Sequence, residues 1–288
     1  MKLRCRDRVV ALDRTAVMGV LNATPDSFTD GGLWLRRDAA VRHGRDMVAD
    51  GATIVDIGGE STRPGAHAVH ADEEIRRTLP VVEALSEESD AVVSIDTRKP
   101  AVAKKAIEAG ATIVNDTSGE MVAAGMDELI AATGAAIIVM HSRGNPVTMQ
   151  SLSHYDDVVV EVRAFLSRRA DELIARGVNR DSIAVDPGIG FAKRAEQSLT
   201  MLNRLDEIVS LGFPVVVGTS RKSFIGTVLD VPGRERLEGT AATVAWAVAK
   251  GAHIVRVHDV SSLARVVRMT EAIMRAGPPN TQGGWNPA

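Results

Sequence analysis

A set of polar side chains in this sequence lies at or just beyond the ends of short apolar segments. Their carboxylates can accept hydrogen bonds from N–H groups, and their amides, hydroxyls and cations can bind ring nitrogens or phosphate oxygens. Turn chemistry could explain any one of them, but not charged residues inside strand ends such as Asp186 and Arg256. The set therefore predicts one polar site, built from Asn22, Asp56, Asp96, Asn115, Asp116, His141, Asp186, Ser220, Arg221, Lys222, Arg256 and His258.

The apolar segments before these side chains predict eight strands, separated by amphipathic segments that predict helices. They are continuous runs rich in Val and Ile, which is typical of strands covered on both faces in a parallel sheet. Two helices are clearest, over 154–176 and 260–275, whereas Pro80 predicts a kink or a break in a helix over 72–85. The predicted strands cover residues 16–21, 53–58, 91–96, 111–115, 136–141, 182–186, 213–219 and 253–258.

Strict alternation of eight strands with helices fits either a closed barrel or a doubly wound sheet. The number and even spacing of the units favour the barrel, and no G-x-G-x-x-G motif follows the first strand. We therefore predict an α/β fold: a single (β/α)8 TIM barrel over residues 1–276, with a flexible C-terminal tail over 277–288. In such a barrel the carboxyl ends of the strands share one face, where active sites lie.

Composition argues against several other classes of protein. Hydrophobic residues make up 45% of the 288 residues, enough to bury a large core, so most of the chain is not expected to be disordered. A net charge of −3 with mixed signs, and only 3% aromatic residues, argue against a nucleic-acid partner. The lone cysteine, Cys5, cannot form a disulfide or a cysteine-ligated metal cluster within one chain. No signal-peptide core and no run of membrane length is present, so we expect a soluble cytoplasmic protein without a membrane partner.

Eight motifs, in order along the chain, resemble those of the dihydropteroate synthases. The resemblance runs from about residue 16 to 275 and implies a barrel with a pterin site deep in its mouth. It also implies two mobile loops after the first two strands, over 24–32 and 61–68. The motifs are N-A-T-P-D-S-F-T-D-G-G at 22–32, G-G-E-S-T-R-P-G at 58–65, S-I-D-T at 94–97, I-V-N-D at 113–116, M-H-x-R-G-N-P at 140–146, D-P-G-I-G-F-A-K at 186–193, G-T-S-R-K-S-F-I-G at 218–226 and R-V-H-D-V at 256–260.

The pterin contacts that the resemblance implies have side chains suited to a 2-amino-4-oxo pyrimidine edge. Asp186 would accept hydrogen bonds from two adjacent N–H groups, and Asn115 would both donate and accept. Lys222 would reach the 4-oxo oxygen and N5, while Asp96 would face the reacting side of the ring. The remaining implied contacts are Arg256, stacking on the pterin and reaching the diphosphate, and Met140 and Phe191, lining the slot or serving as plain core.

The resemblance also implies sites for the diphosphate and for p-aminobenzoate. Mg²⁺ would bridge phosphate oxygens with Asn22 as its protein ligand, unless Asn22 only caps its strand. Asp30 would act in loop closure, although a loop without a specific contact is the alternative. The implied diphosphate contacts are Asn22, Arg63, Arg256 and His258, and the implied p-aminobenzoate contacts are Phe28, Thr62, Pro64 and Ser223.

The reaction implied is alkyl transfer at the exocyclic CH₂ of the pterin. Departure of diphosphate would leave a cation that Asp96 stabilises, and the amine of p-aminobenzoate would attack it to give 7,8-dihydropteroate. The catalytic residues would be Asp96, Lys222, Arg256 and His258. The resemblance further implies folate biosynthesis, a sulfonamide target, and a homodimer formed by late helices over 237–275.

Three other functions fit part of the pattern. A methyltransferase that binds methyltetrahydrofolate uses a similar barrel but has no diphosphate to bind, so it does not explain S-R-K-S-F, T-P-D-S-F and R-V-H-D together. A metal-dependent barrel hydrolase could use the acids and histidines, but the first strand ends in N-A-T rather than H-x-H. A non-catalytic pterin-binding paralogue would not need diphosphate contacts such as Arg63 and His258.

Overall fold

The computed structural model describes residues 1–23, 33–61 and 65–276. A hairpin of two strands, β1 (Lys2–Cys5) and β2 (Arg8–Ala11), precedes eight further strands that alternate with helices. In chain order these elements are β3 (Ala16–Asn22), α1 (Leu33–Ala49), β4 (Ile54–Gly58), α2 (Ala71–Glu88), β5 (Val92–Asp96), α3 (Pro100–Glu108), β6 (Ile113–Asp116), α4 (Met126–Thr133), β7 (Ala136–Met140), α5 (Val158–Ala175), β8 (Ile183–Asp186), α6 (Ala195–Asn203), α7 (Leu205–Val209), β9 (Val216–Val217), α8 (Ser223–Leu229), α9 (Leu237–Ala249), β10 (Ile254–Val257) and α10 (Val260–Arg275).

The eight strands from β3 to β10 form a parallel sheet in the order β8-β7-β6-β5-β4-β3-β10-β9. The two ends of this sheet meet, because Val185 in β8 forms a parallel bridge with Val215 and donates its N–H to the carbonyl of Pro214 at 2.9 Å. The predicted (β/α)8 barrel is confirmed. The strand predicted over 213–219 is shorter, only Val216–Val217, and it begins after Pro214, which has no N–H to donate.

The helices follow their predicted positions with two differences. α2 runs from Ala71 to Glu88 as one helix through Pro80, so the predicted break does not occur. α5 begins at Val158 rather than at 154 because the Asp157 carboxylate caps it, accepting hydrogen bonds from the N–H groups of Val159 and Val160 at 2.9 and 3.1 Å. α10 has the predicted bounds.

The β1–β2 hairpin closes the amino end of the barrel, and the sequence analysis did not predict it. Leu3 and Cys5 point inward from β1, and Val10 points inward from β2. They pack with Leu12 against inward-facing strand residues such as Met18. Because this plug fills the amino end, the space available for a ligand inside the barrel lies at the carboxyl ends of the strands. Burial raises the pKa of the Cys5 thiol to about 12, so this cysteine is not a reactive thiolate.

Arginines of the hairpin bind the ends of neighbouring helices. Arg6 donates to the carbonyl of Ile107 in the last turn of α3 at 3.2 Å. Arg8 donates to the carbonyls of Asp90 and Ala91 after α2, both at 3.2 Å. These bonds tie the hairpin to the carboxyl-terminal sides of α3 and α2, where a cation also opposes the negative end of the helix dipole.

No helix in the described ranges combines the length and apolar character needed to cross a membrane.

Candidate active site

The parallel register brings the predicted site residues to neighbouring strand ends. Asp96 ends β5 and lies beside Gly58 of β4 on one side and Asn115 of β6 on the other. Asp186 ends β8 and lies beside Met140 of β7. The polar residues that are far apart in sequence therefore share the carboxyl face, as the strand prediction required.

The Arg256 guanidinium is the centre of a buried hydrogen-bond network. Its Nε donates to Oδ2 of Asp56 and its Nη2 donates to Oδ2 of Asp96, both at 2.7 Å. Asp56 also accepts from Asn115 Nδ2 at 3.0 Å and from Ser94 Oγ at 2.6 Å. Asp56 is fully buried, and its carboxylate is occupied by these three donors. It therefore fixes the positions of Arg256 and Asn115 rather than facing a ligand.

Arg256 carries one positive charge and donates to two carboxylates, those of Asp56 and Asp96, so it does not neutralise both. Burial raises the pKa of Asp96 to about 7; Asp56 and Glu74 add to the rise, while Arg256 opposes it. Burial would lower the pKa of Arg256, but Asp56 and Asp96 outweigh it and raise that pKa above its ordinary value. Asp96 can thus exchange a proton near neutral pH, whereas Arg256 stays charged.

A second group combines Asp186, Lys222 and Phe191. Oδ1 of Asp186 accepts the N–H of Gly188 at 2.7 Å, and burial raises the pKa of this carboxyl. Nζ of Lys222 lies 3.7 Å from the centre of the Phe191 ring, a cation–π contact. Burial, together with the charge of Arg256, lowers the pKa of Lys222 to about 8. This group offers a carboxylate, an ammonium and an aromatic face.

His258 lies at the far side of the same face and is held by Ser220. Ser220 Oγ accepts the backbone N–H of His258 at 3.2 Å and lies 2.9 Å from its Nδ1. Burial, with the charges of Arg256 and Arg221, lowers the pKa of His258 to about 3. His258 was predicted to supply positive charge or a donor to the diphosphate. With its pKa lowered in this way, His258 is a neutral ring near pH 7 and would offer the diphosphate a hydrogen bond rather than a positive charge.

A cavity of about 1000 Å³ opens above these groups. Asn115, Met140 and Asp186 are 3%, 3% and 6% exposed and are not among its lining residues. The predicted residues that line it are Asn22, Asp96, Phe191, Ser220, Arg221, Lys222, Ser223, Arg256 and His258. Five other predicted residues lie outside the described ranges: Phe28, Asp30, Thr62, Arg63 and Pro64.

Glu60 is a part of the site that sequence reasoning missed. It lines the cavity, accepts the N–H of Val69 at 2.9 Å, and forms ion pairs with Arg98 and Lys99. Burial would raise the pKa of Glu60, but the bonds from Lys99, Val69 and Arg98 outweigh it and lower that pKa. Through its bond to Val69, Glu60 connects the residue before the 61–68 loop with the residue after it. Its place in G-G-E-S-T-R-P-G was the available signal.

A buried pair, Lys193 and His141, was also missed as a pair. Lys193 Nζ lies 2.9 Å from Nδ1 of His141 and donates to the carbonyls of Gly188 and Phe191 at 3.0 and 3.1 Å. Lys193 is the last residue of the D-P-G-I-G-F-A-K motif, so the motif marked it without indicating its partners.

Metal-binding capacity is limited among the described residues. In residues 1–23, 33–61 and 65–276 no group of three or more His, Cys, Asp or Glu side chains is arranged to hold a metal ion. Asn22, the predicted magnesium ligand, ends β3 and lines the cavity with a half-buried side chain.

Comparison with known proteins gives one consistent result. The sequence model of a family described as "Pterin binding enzyme" matches residues 18–258. The dihydropteroate synthase of Synechocystis sp. is 50% identical over 263 residues, which cover 91% of each chain. The structure of Yersinia pestis dihydropteroate synthase with a sulfonamide drug is 40% identical, with a TM-score of 0.90, and the match covers 96% of this chain and 100% of that one.

A structure of the Xanthomonas albilineans dihydropteroate synthase in complex with 7,8-dihydropteroate is 35% identical, with a TM-score of 0.87, and the match covers 96% of this chain and all of that one. Sequence and fold thus agree over nearly the whole length of the chain. The chain belongs to the dihydropteroate synthases, within the pterin-binding enzymes.

Proposed function

We propose that the chain condenses 6-hydroxymethyl-7,8-dihydropterin diphosphate with p-aminobenzoate to give 7,8-dihydropteroate and diphosphate. The observation that carries the proposal is the buried network in which Arg256 bridges Asp56 and Asp96 beside Asn115, at the floor of a large cavity. Such a floor offers acceptors and donors in fixed positions, as recognition of a pterin ring requires.

The pterin would bind with its pyrimidine edge toward β6 and β8. Asp186 would accept hydrogen bonds from two adjacent N–H groups, which requires the ionised carboxylate. Because burial raises the pKa of Asp186, this form appears at higher pH than it does for an ordinary aspartate. Asn115 has one amide N–H engaged with Asp56, which leaves its oxygen free to accept. Lys222 would donate to the 4-oxo oxygen and N5, while Phe191 and Arg256 would pack against the ring. Met140, buried beside Asp186, would contribute shape only.

The chemical step would break the bond between the exocyclic CH₂ and the diphosphate oxygen. The diphosphate leaves with the electron pair, and the resulting cation is delocalised into the dihydropterin. Asp96, held by Arg256, faces this charge and stabilises it. The amine nitrogen of p-aminobenzoate then forms a bond to the CH₂ carbon and loses one proton.

The diphosphate would lie between Asn22, Arg256 and His258 along the cavity wall, and Arg63 stays a prediction for this group. The residues present fit Mg²⁺: within the described ranges no side-chain hydrogen bond occupies the Asn22 amide, so its oxygen is free to be a ligand. Magnesium commonly takes one or two protein oxygens and completes its shell with phosphate and water. When bound, it would neutralise charge on the departing diphosphate.

The p-aminobenzoate would enter from the side of Ser223, which is exposed at the start of α8 next to Lys222. Phe28, Thr62 and Pro64 remain its predicted contacts, and Asp30 remains the predicted residue of loop closure. Glu60, through its bond to Val69, would fix where the second of these loops leaves the barrel.

We also propose a cytoplasmic homodimer that pairs through residues 237–275. Trp246 of α9 and Met269 and Ile273 of α10 are 48%, 62% and 63% exposed, so these two helices leave apolar surface that a second copy could cover. A twofold interface through these helices would bury them, and the measurement is the molar mass in solution.

The test of the proposed reaction is product formation from purified protein, both substrates and Mg²⁺. We expect 7,8-dihydropteroate and diphosphate in equal amounts. Asp186→Ala and Lys222→Ala should each abolish detectable product, whereas Asp171→Ala and Lys104→Ala, which change exposed residues of the same types on outer helices, should leave it unchanged. Pterin binding without product would favour the non-catalytic paralogue, and wild-type turnover by either site variant would contradict the proposal.

A further inference from the structure

The turn that follows β8 connects Asp186 to the rest of the proposed pterin site. It runs from 187 to 193 and carries Phe191, whose ring lies under Lys222. Gly188 has a φ of +63°, and a Cβ there would come within 1.9 Å of the His141 carbonyl oxygen. Ala192 also adopts a left-handed conformation, with a φ of +47°, which alanine rarely does. A turn with this strain persists only where its surroundings hold it.

Lys193 holds the turn through its buried side chain. It is 3% exposed, and burial lowers its pKa to about 7, although the charge of Asp186 opposes this, so the ammonium is the form present below neutral pH. That ammonium has an acceptor for each of its three N–H groups: the carbonyls of Gly188 and Phe191 and Nδ1 of His141. A buried ammonium is costly unless it is fully hydrogen-bonded, and here it is. The carbonyls of Gly188 and Phe191, at two points of the turn, are thereby bound to the same Nζ atom.

His141 connects Lys193 back to the strand. Its ring is neutral, because burial and the charges of Lys193 and Arg143 lower its pKa to about 2, so Nδ1 is available as an acceptor. The ring packs edge-on against Phe165, with 5.1 Å between the ring centres. The backbone N–H of His141 donates to the carbonyl of Asp186 at 2.9 Å. Lys193 and Asp186 are therefore fixed to the same residue.

Tyr155 holds the turn from outside. Its hydroxyl donates to the carbonyl of Ala192 at 3.0 Å, and the Arg143 guanidinium covers its ring at 4.1 Å. The strained residue is thus flanked by Lys193 on one side and Tyr155 on the other.

We propose that Lys193 is a positioning residue which, with Tyr155, holds the 187–193 turn so that the Asp186 carboxylate and the Phe191 ring are placed for the pterin; this inference rests on the proposed function. Lys193 is not among the residues that line the cavity, so it would act on the pterin only through other residues. It acts through Asp186 in a second way, because its positive charge, with those of Lys222 and Arg256, opposes the effect of burial on the Asp186 carboxyl.

The experiment compares Lys193→Met with wild type and with Lys104→Met, an exposed lysine on α3. Equilibrium binding of the pterin diphosphate is measured from pH 5 to 9, alongside turnover and thermal stability. We expect pterin affinity to fall about 10- to 100-fold in Lys193→Met, since small displacements of positioning groups have effects of this size. The KM for p-aminobenzoate at saturating pterin should not change, and the acid limb of pterin binding should move to higher pH.

Tyr155→Phe removes only the hydroxyl and is the second variant. It should weaken pterin binding in the same direction but less, and it decides the matter if Lys193→Met does not fold. A merely structural lysine would lower thermal stability and leave affinity and pH profile as in wild type; that result, or an unchanged affinity in a folded Tyr155→Phe, overturns the inference. If wild-type protein binds no pterin diphosphate, the proposed function itself fails.

Discussion

At the scale of single residues, position along the strand separates the carboxylates that face the ligand from those that support them. Asp96 is the last residue of β5, whereas Asp56 lies two residues before the end of β4 and in register with Ser94. Asp56 is therefore one layer deeper, where it accepts from Ser94, Asn115 and Arg256. The predicted strands over 53–58 and 91–96 already place Asp56 two residues before its strand end and Asp96 at its own. The sequence does not show which donors each acid meets, because that depends on the stagger between strands.

Asp96 is expected to set the acid limb of the reaction. Its pKa of about 7 means that the carboxylate is lost as pH falls through this value. If the anion stabilises the pterin cation, kcat/KM should fall about tenfold per pH unit below it. Asp96→Asn should be much less active and should lose the acid limb near pH 7. Steady-state measurement of kcat/KM from pH 5 to 9 tests this prediction, with Asp171→Asn as the control. An acid limb at the same pH in Asp96→Asn as in wild type would show that Asp96 does not cause it.

The same group should make stability depend on pH. The native state holds the Asp96 proton up to about pH 7, while the unfolded chain releases it near pH 4. Between these values the unfolded state binds fewer protons, so the contribution of Asp96 to stability falls as pH rises from about 4 to 7. Denaturant unfolding should show this slope in wild type and not in Asp96→Asn. Parallel curves for the two proteins would contradict it.

At the scale of elements, the motifs predicted where the site lies but not what holds it. The resemblance of the D-P-G-I-G-F-A-K segment predicts that Asp186 and Phe191 contact the pterin. The hydrogen bonds of Lys193 to a histidine 52 residues earlier could not be inferred, because they require β7 and β8 to be neighbours with a known register. Likewise the ion pairs of Glu60 with Arg98 and Lys99 join loops after two different strands.

The turn after β8 predicts a sharp difference between two glycines. Gly188 and Gly134 have similar φ values, +63° and +67°, but a Cβ at 188 would collide with the His141 carbonyl, while one at 134 would meet no atom within 4 Å. Gly134→Ala should cost about 1 kcal/mol from strain alone. Gly188→Ala should cost about 1–3 kcal/mol more and should weaken pterin binding. Denaturant unfolding and pterin titration measure this; equal costs would show that the close approach is not real.

At the scale of the whole molecule, the barrel was predictable and its plug was missed. Continuous apolar runs indicated all eight barrel strands. The predicted strands begin at residue 16 and omit the hairpin, although Leu3, Cys5, Val10 and Leu12 show the spacing of a strand pair with one buried face. Charges at Lys2, Arg4, Arg6 and Arg8 obscured that pattern, and no local signal shows that a hairpin will close a barrel.

A substitution in the plug at the amino end of the barrel should lower stability without changing the activity of the site at the carboxyl end. Leu3 is fully buried in the plug, far along the barrel axis from the cavity. Leu3→Ala should destabilise the fold by about 2–5 kcal/mol, whereas Val9→Ala, at an exposed position of the same hairpin, should change little. Folded Leu3→Ala at low temperature should keep its kcat. A large loss of kcat without unfolding would show that the plug and the site are coupled.

The central claim is that one set of strand ends binds the pterin. The most direct measurement is a crystal structure of this protein with 7,8-dihydropteroate. We expect the pyrimidine edge of the pterin within about 3 Å of the Asp186 carboxylate, with Asn115 and Lys222 at hydrogen-bonding distance and Arg256 against the ring. A pterin that lies elsewhere, or that turns its pyrimidine edge away from Asp186, would contradict the account.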